Sequence, residues 1–91
     1  SVQESAHLRS GENEIDRLED EGILNAGQAN SLRVKLAAAG KSLEKGKKQT
    51  AINQLNAFIN QVLSLVAEGV LPPEEGELLI GLAEDIILAI S

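Results

Sequence analysis

Ninety-one residues with a formal net charge of −6 make one domain with a single modest core. That charge excludes the phosphate neutralisation on which nucleic-acid binding rests, and it opposes attraction to an anionic membrane surface. Phe58 is the sole aromatic residue, and Cys, Met, Trp and Tyr are absent, so the core is aliphatic and has no disulfide or thiolate-bound metal to support it.

Residues 1–13 are polar, contain Gly11 and read as a linker, which leaves residues 14–91 as the folded domain. A short first helix is expected over 14–21, with Ile15 and Leu18 on one face and Gly22 just past its end, where glycine commonly closes a helix. Asn25 is a good N-cap, and Gln28 stands three residues later in the capping-box position. The second helix then runs over 26–45, with Ala29, Leu32, Leu36, Ala39 and Leu43 at spacings of three and four. Gly46 closes it.

The third helix is expected over 48–68. Ile52, Leu55, Ile59, Val62 and Val66 form a regular stripe, Phe58 reads as a core residue, and Gly69 marks the end. Pro73 fits the first position of a fourth helix running to about Ile90, and Glu74 and Glu75 suit the positive end of its dipole. No apolar stretch reaches the roughly 20 residues of a membrane span, so membrane insertion is not expected. The chain begins without Met and ends after an apolar helix, which reads as a piece of something longer.

An internal repeat organises these segments. Glu21-Gly22-Ile23-Leu24 recurs 47 residues later as Glu68-Gly69-Val70-Leu71, and Ile15, Leu18, Leu32 and Ala39 fall opposite Val62, Leu65, Leu79 and Ile86. The expected fold is therefore all-α: a four-helix bundle, one helix short and three longer, made of two antiparallel helical hairpins. Neither hairpin can bury its apolar stripe alone, and each completes the other's core.

Little in the chain can carry chemistry. The one histidine, His7, lies in the expected linker, and no Ser or Thr has a histidine within the folded part to activate it. No glycine-rich phosphate loop is present, and no cofactor is expected. A non-enzymatic role follows. Direct polysaccharide binding is disfavoured because sugars stack on Trp or Tyr faces, which the chain lacks.

Two surfaces are candidates. The turns at 22–25 and 69–72 fall at the same end of the bundle and gather Glu19, Asp20, Glu21, Glu68, Glu74 and Glu75 there, while Lys41, Lys45, Lys47 and Lys48 lie at the other end. The acidic end reads as a solvated face. It could also take a basic partner or a weak divalent cation, although the spacing matches no calcium loop. The second candidate is the fourth helix, where ten of the thirteen residues from Leu78 to Ile90 are apolar. Such a helix is either central or an interface, and in the second case Leu78, Ile80, Ile87 and Leu88 form the contact.

The runs Glu21-Gly-Ile-Leu-Asn-Ala-Gly-Gln-Ala-Asn-Ser-Leu and Lys35-Leu-Ala-Ala-Ala precede the segment Ala51-Ile-Asn-Gln-Leu-Asn-Ala-Phe-Ile-Asn-Gln-Val. Together with the closing Gly69-Val-Leu-Pro-Pro pattern they resemble the FIMAH domain, "found in many hydrolases", over residues 14–90. Pro72 departs from that pattern, which usually has Ser or Thr there as cap. The resemblance implies a short helical accessory module of secreted bacterial or archaeal hydrolytic proteins, hence an extracellular or cell-surface location, and it supplies no catalytic residues. The expected function is a non-catalytic accessory module acting by docking on a neighbouring domain, by self-association or by surface attachment. An inert spacer is the alternative, and a weak cation- or carbohydrate-binding module a more remote one.

Overall fold

The computed structural model describes the backbone of residues 2–91 and the side chains of residues 8–91; the side chain of His7 lies outside this range. Among the described residues the chain folds as four helices, α1 (Val2–Asp20), α2 (Ala26–Glu44), α3 (Lys48–Ala67) and α4 (Pro73–Ile90). Each helix packs against its neighbours in sequence, and α4 closes the ring against α1, while among the described residues the diagonal pairs make no close backbone approach. This is an up-down-up-down bundle of two hairpins.

The three turns share one chemistry. Gly22, Gly46 and Gly69 adopt φ of +78°, +73° and +80°, the left-handed conformation that glycine reaches without a Cβ penalty. The first and third turns are the same turn, 47 residues apart. Ile23 N and Leu24 N donate to Leu18 O at 3.0 and 3.2 Å, and Val70 N and Leu71 N donate to Leu65 O at 2.9 and 3.2 Å. Each turn thereby points a leucine, Leu24 or Leu71, into the core. Repeat-related positions are buried together: Ile15 with Val62, Leu18 with Leu65, Leu32 with Leu79, Ala39 with Ile86.

Helix starts follow local chemistry. The Asn25 side chain accepts from Gln28 N at 2.8 Å, and the Gln28 side chain accepts from Asn25 N at 3.0 Å, completing the capping box of α2. Pro72 offers no side-chain acceptor to α4. Its carbonyl accepts from Glu75 N and Gly76 N instead, and Pro73 supplies the preset backbone of the first helical position.

The first helix differs from its expected extent. α1 begins at Val2, not Glu14, so residues 2–13 are helix rather than linker. Leu8 packs against the core and Gly11 is buried. A Cβ at Gly11 would lie 3.0 Å from Leu36 Cδ1, so this glycine permits close approach of α1 and α2 instead of breaking the chain. The repeat continues through this region, placing Leu8 opposite Leu55 and Gly11 opposite Phe58.

α4 is not central. It packs against α3 and α1 alone, burying Gly76, Leu79, Ala83, Ile86 and Ile90. Its remaining apolar residues lie at or near the surface.

Candidate interaction surface

The acidic end assembles as a pair of arginine-centred clusters. The Arg17 guanidinium donates to Glu14 on its own helix, to Glu21 at 2.8 Å and, across the bundle, to Glu75 of α4. Arg33 of α2 donates to Asp16 at 2.9 Å and to Glu19 of α1. The Arg17–Glu75 contact joins the start of α4 to the end of α1, so the 22–25 and 69–72 turns lie at one end of the bundle. The hydrogen bond from Arg17 holds the Glu75 carboxyl below its ordinary pKa, and donation to their partner carboxylates raises the pKa of both guanidinium groups, Arg17 chiefly through Glu14 and Arg33 chiefly through Glu19.

Of the six expected acidic residues, Glu19, Glu21 and Glu75 are thus engaged by arginines of this chain. Asp20, Glu68 and Glu74 make no side-chain ion pair among the described residues. No group of three or more potential metal ligands occurs among the described residues. Arg17 and Arg33 are what the sequence reading missed. Their signal is visible in retrospect, since Glu14 and Glu21 flank Arg17 at helical spacings of three and four. Partly exposed ion pairs of this kind add little stability.

The four expected interface residues separate into two places. Leu88 is 76% exposed and Leu78 is 48% exposed, while Ile80 and Ile87 are half-buried against the core. At about 100° per residue, Leu88 and Leu78 point to different flanks of α4. Leu88 and Ile87 face α3, where they line a groove of about 350 Å³ together with Asn56, Ile59 and Glu84. Leu63 of α3, 52% exposed, extends the apolar seam.

Charge sharpens the contrast between faces. From Gln49 to Ala67 there is no charged residue, and the outward side of α3 is an exposed row of Gln49, Asn53, Asn56 and Asn60. Of the chain's fourteen acidic residues, Glu44 alone falls within α2 or α3. The carboxylates belong to α1, α4 and the turns that join the hairpins' helices.

The repeat provides an internal control. The groove residues Asn56, Ile59, Glu84, Ile87 and Leu88 correspond, 47 positions earlier, to Arg9, Glu12, Ala37, Gly40 and Lys41. Asp16 stands where the second hairpin has Leu63. Three of these backbone positions carry charge in the first hairpin and an apolar side chain in the second, at Glu12 and Ile59, Asp16 and Leu63, and Lys41 and Leu88; Ala37 and Glu84 run the other way. Core formation does not call for leucine at 63 or 88, and isolated exposed leucines would mean little, but an apolar seam beside an uncharged face is a candidate contact surface.

The comparisons with known proteins come to one finding. Neither the curated proteins nor the solved structures gave a match. The family model of the FIMAH domain matches residues 8–88, a span that takes in Leu8 and Gly11 and so includes the second half of the expected linker. The chain belongs to the FIMAH domain family.

Proposed function

We propose that this module is a non-catalytic accessory domain that works by contact through the outer face of the α3–α4 hairpin. The observation that carries the reading is the asymmetry between hairpins of one backbone design: charge at Arg9, Glu12, Asp16 and Lys41, apolar or amide side chains at the equivalent Asn56, Ile59, Leu63 and Leu88. Burying the seam would add roughly 25 cal/mol for each Å² of apolar surface removed from water. The uncharged face of α3 lets a partner approach without stripping water from carboxylates.

The chemistry of the described residues favours contact over catalysis. The titratable groups with shifted pKa are arginines and a carboxylate locked in ion pairs, not groups aimed into a cavity. Family membership fits an appended module of a secreted hydrolytic protein, which supports an extracellular setting for the same contact surface.

The test substitutes Leu88→Glu in the native protein that carries this module. Association state and retention at the cell surface are compared with the unsubstituted form. Loss of either, with the helical signal intact, supports docking through this face. An inert spacer predicts no change in both, and that result refutes the reading.

A further inference from the structure

We infer that the partner of this face is a second copy of the chain, bound through an antiparallel α3–α3 contact on a two-fold axis near Asn56 and Ala57. The inference rests on the accessory reading above and names its occupant.

The first argument is the order of residues along the outward side of α3. Gln49, Asn53, Asn56, Asn60 and Ser64 are all exposed and recur at helical spacing. In an antiparallel pair centred between positions 56 and 57, Asn53 meets Asn60 of the other copy, and Gln49 meets Ser64. Each amide carries both donors and an acceptor, so every such meeting can be satisfied in either sense. A two-fold interface needs this self-complementarity, because the same patch serves both partners. Ala57, small and exposed, stands at the centre, where the backbones must approach most closely.

The second argument is the position of Leu88. It lies beside Asn56 in the groove wall, hence next to the proposed axis. On a two-fold axis a projecting side chain and an adjacent groove meet their own copies, so Leu88 of each chain enters the groove of the other. Leu78, on the other flank of α4, stays outside the contact.

The third argument is charge. Two copies carrying −6 repel each other, and the repulsion is least where the contact face keeps their carboxylates far apart and screened by salt. α1 and α4 hold eleven of the fourteen acidic residues, whereas α3 holds none. The α3 face itself brings no carboxylate to the contact; Glu84 of α4, in the groove wall, is the acidic residue beside it.

Area and anchoring set the strength. The bundle measures 35 × 21 × 19 Å, so its long face offers roughly 700 Å² per protomer at most, near the lower end of specific interfaces. With amides over most of the face and Leu88 as its one projecting anchor, the dimer is weak, with Kd above about 1 μM.

The experiment is light scattering and sedimentation equilibrium on the 91-residue chain, from micromolar to millimolar concentration. The wild-type chain is expected to pass from monomer to dimer across this range. Leu88→Glu is expected to weaken dimerisation at least tenfold. Asn53→Glu with Asn60→Glu, which opposes like charges twice across the axis, is expected to abolish it. Asn53→Lys with Asn60→Glu, which creates two cross-axis ion pairs, is expected to tighten it several-fold at low salt. Circular dichroism verifies that each variant folds.

A wild-type chain that stays monomeric at millimolar concentration overturns the inference. So does a dimer indifferent to all three variants, since it uses another face. In either case, an effect of Leu88→Glu in the native protein leaves docking on a different partner standing, so the two readings fail separately.

Discussion

Two glycines of α4 test whether the contact between α3 and α4 is as close as the structure describes. A Cβ placed on Gly76 would lie 2.5 Å from Val66 Cγ2 and 3.7 Å from Val62 Cγ1, whereas a Cβ on Gly81 meets nothing within 4 Å. Both residues are helical. Alanine is favoured over glycine inside a helix by about 1 kcal/mol, and Gly81→Ala should gain most of that. Gly76→Ala gains the same backbone term but forces a valine methyl aside. Valine is stiff about χ1, so the methyl cannot turn away cheaply, and overpacking typically costs about 1–3 kcal/mol. The expected difference between the two variants is about 2 kcal/mol.

For a domain of this size each kcal/mol moves the melting temperature by roughly 4–8 °C, so Gly81→Ala should melt about 8–16 °C above Gly76→Ala. Thermal unfolding followed by far-ultraviolet circular dichroism reads this directly; the absence of Trp and Tyr removes the usual fluorescence probe. A second variant isolates the cause. Val66→Ala deletes the opposing methyl, so Gly76→Ala in that background should lose its penalty and regain the helical benefit. Equal melting temperatures for Gly76→Ala and Gly81→Ala refute the close approach. A Gly76→Ala penalty unchanged by Val66→Ala refutes the assignment to that methyl.

Three further outcomes are expected. Gly22→Ala and Gly69→Ala each force a side chain into the left-handed region, at roughly 1–2 kcal/mol, and the two losses should be alike, because the turns share one hydrogen-bond pattern; chemical denaturation measures both. Asn25→Ala removes the capping box of α2 and should cost about 1 kcal/mol by the same measurement. Arg17 holds the Glu75 carboxyl below its ordinary value of 4.5. A depressed carboxyl stabilises the fold above its unfolded pKa and loses that contribution as pH falls through the folded value. The melting temperature should therefore fall as pH drops below about 4.5, and Arg17→Met should flatten that part of the profile; an unchanged slope refutes the role of Arg17.

The helices α2, α3 and α4 were legible from the sequence because each joins a strong local start or stop to an apolar stripe of period 3.6. Asn25 with Gln28, Pro73, and the glycines at 22, 46 and 69 are local signals that the packed structure does not override. The N-terminal half of α1 was not legible, because Gly11 carries two meanings. In a polar stretch glycine reads as a break, yet here it lies where an added Cβ would stand 3.0 Å from Leu36 Cδ1 and crowd it. The repeat held the missing information, since Leu8 and Gly11 fall opposite the core residues Leu55 and Phe58.

The candidate surfaces were legible in part. Leu78, Ile80, Ile87 and Leu88 stood out as excess apolar residues on the fourth helix. Their division between two flanks, and the joining of Ile87 and Leu88 to Asn56 and Ile59, required the placement of α3 beside α4. The acidic end was legible as a count of charges, but a count does not show which carboxylates an arginine takes up. Arg17 reaches Glu75 across 58 residues of sequence, and no local pattern announces that pairing.

The two hairpins separate what the fold requires from what it merely permits. Positions that fill the core or shape a turn agree across the 47-residue repeat: both turn glycines are left-handed, and both following leucines are buried. Surface positions on α1 and α3 have no such reason to agree, yet their divergence is directional. α1 carries Glu12 and Asp16 where α3 carries Ile59 and Leu63, and α3 has replaced every charge from Gln49 to Ala67 with amide, hydroxyl or apolar side chains. Charged residues at those exposed positions would serve helix formation and solubility at least as well. Under the contact proposed above, the chemistry of such a face is set by what touches it, and the variants at Asn53, Asn60 and Leu88 test that proposal.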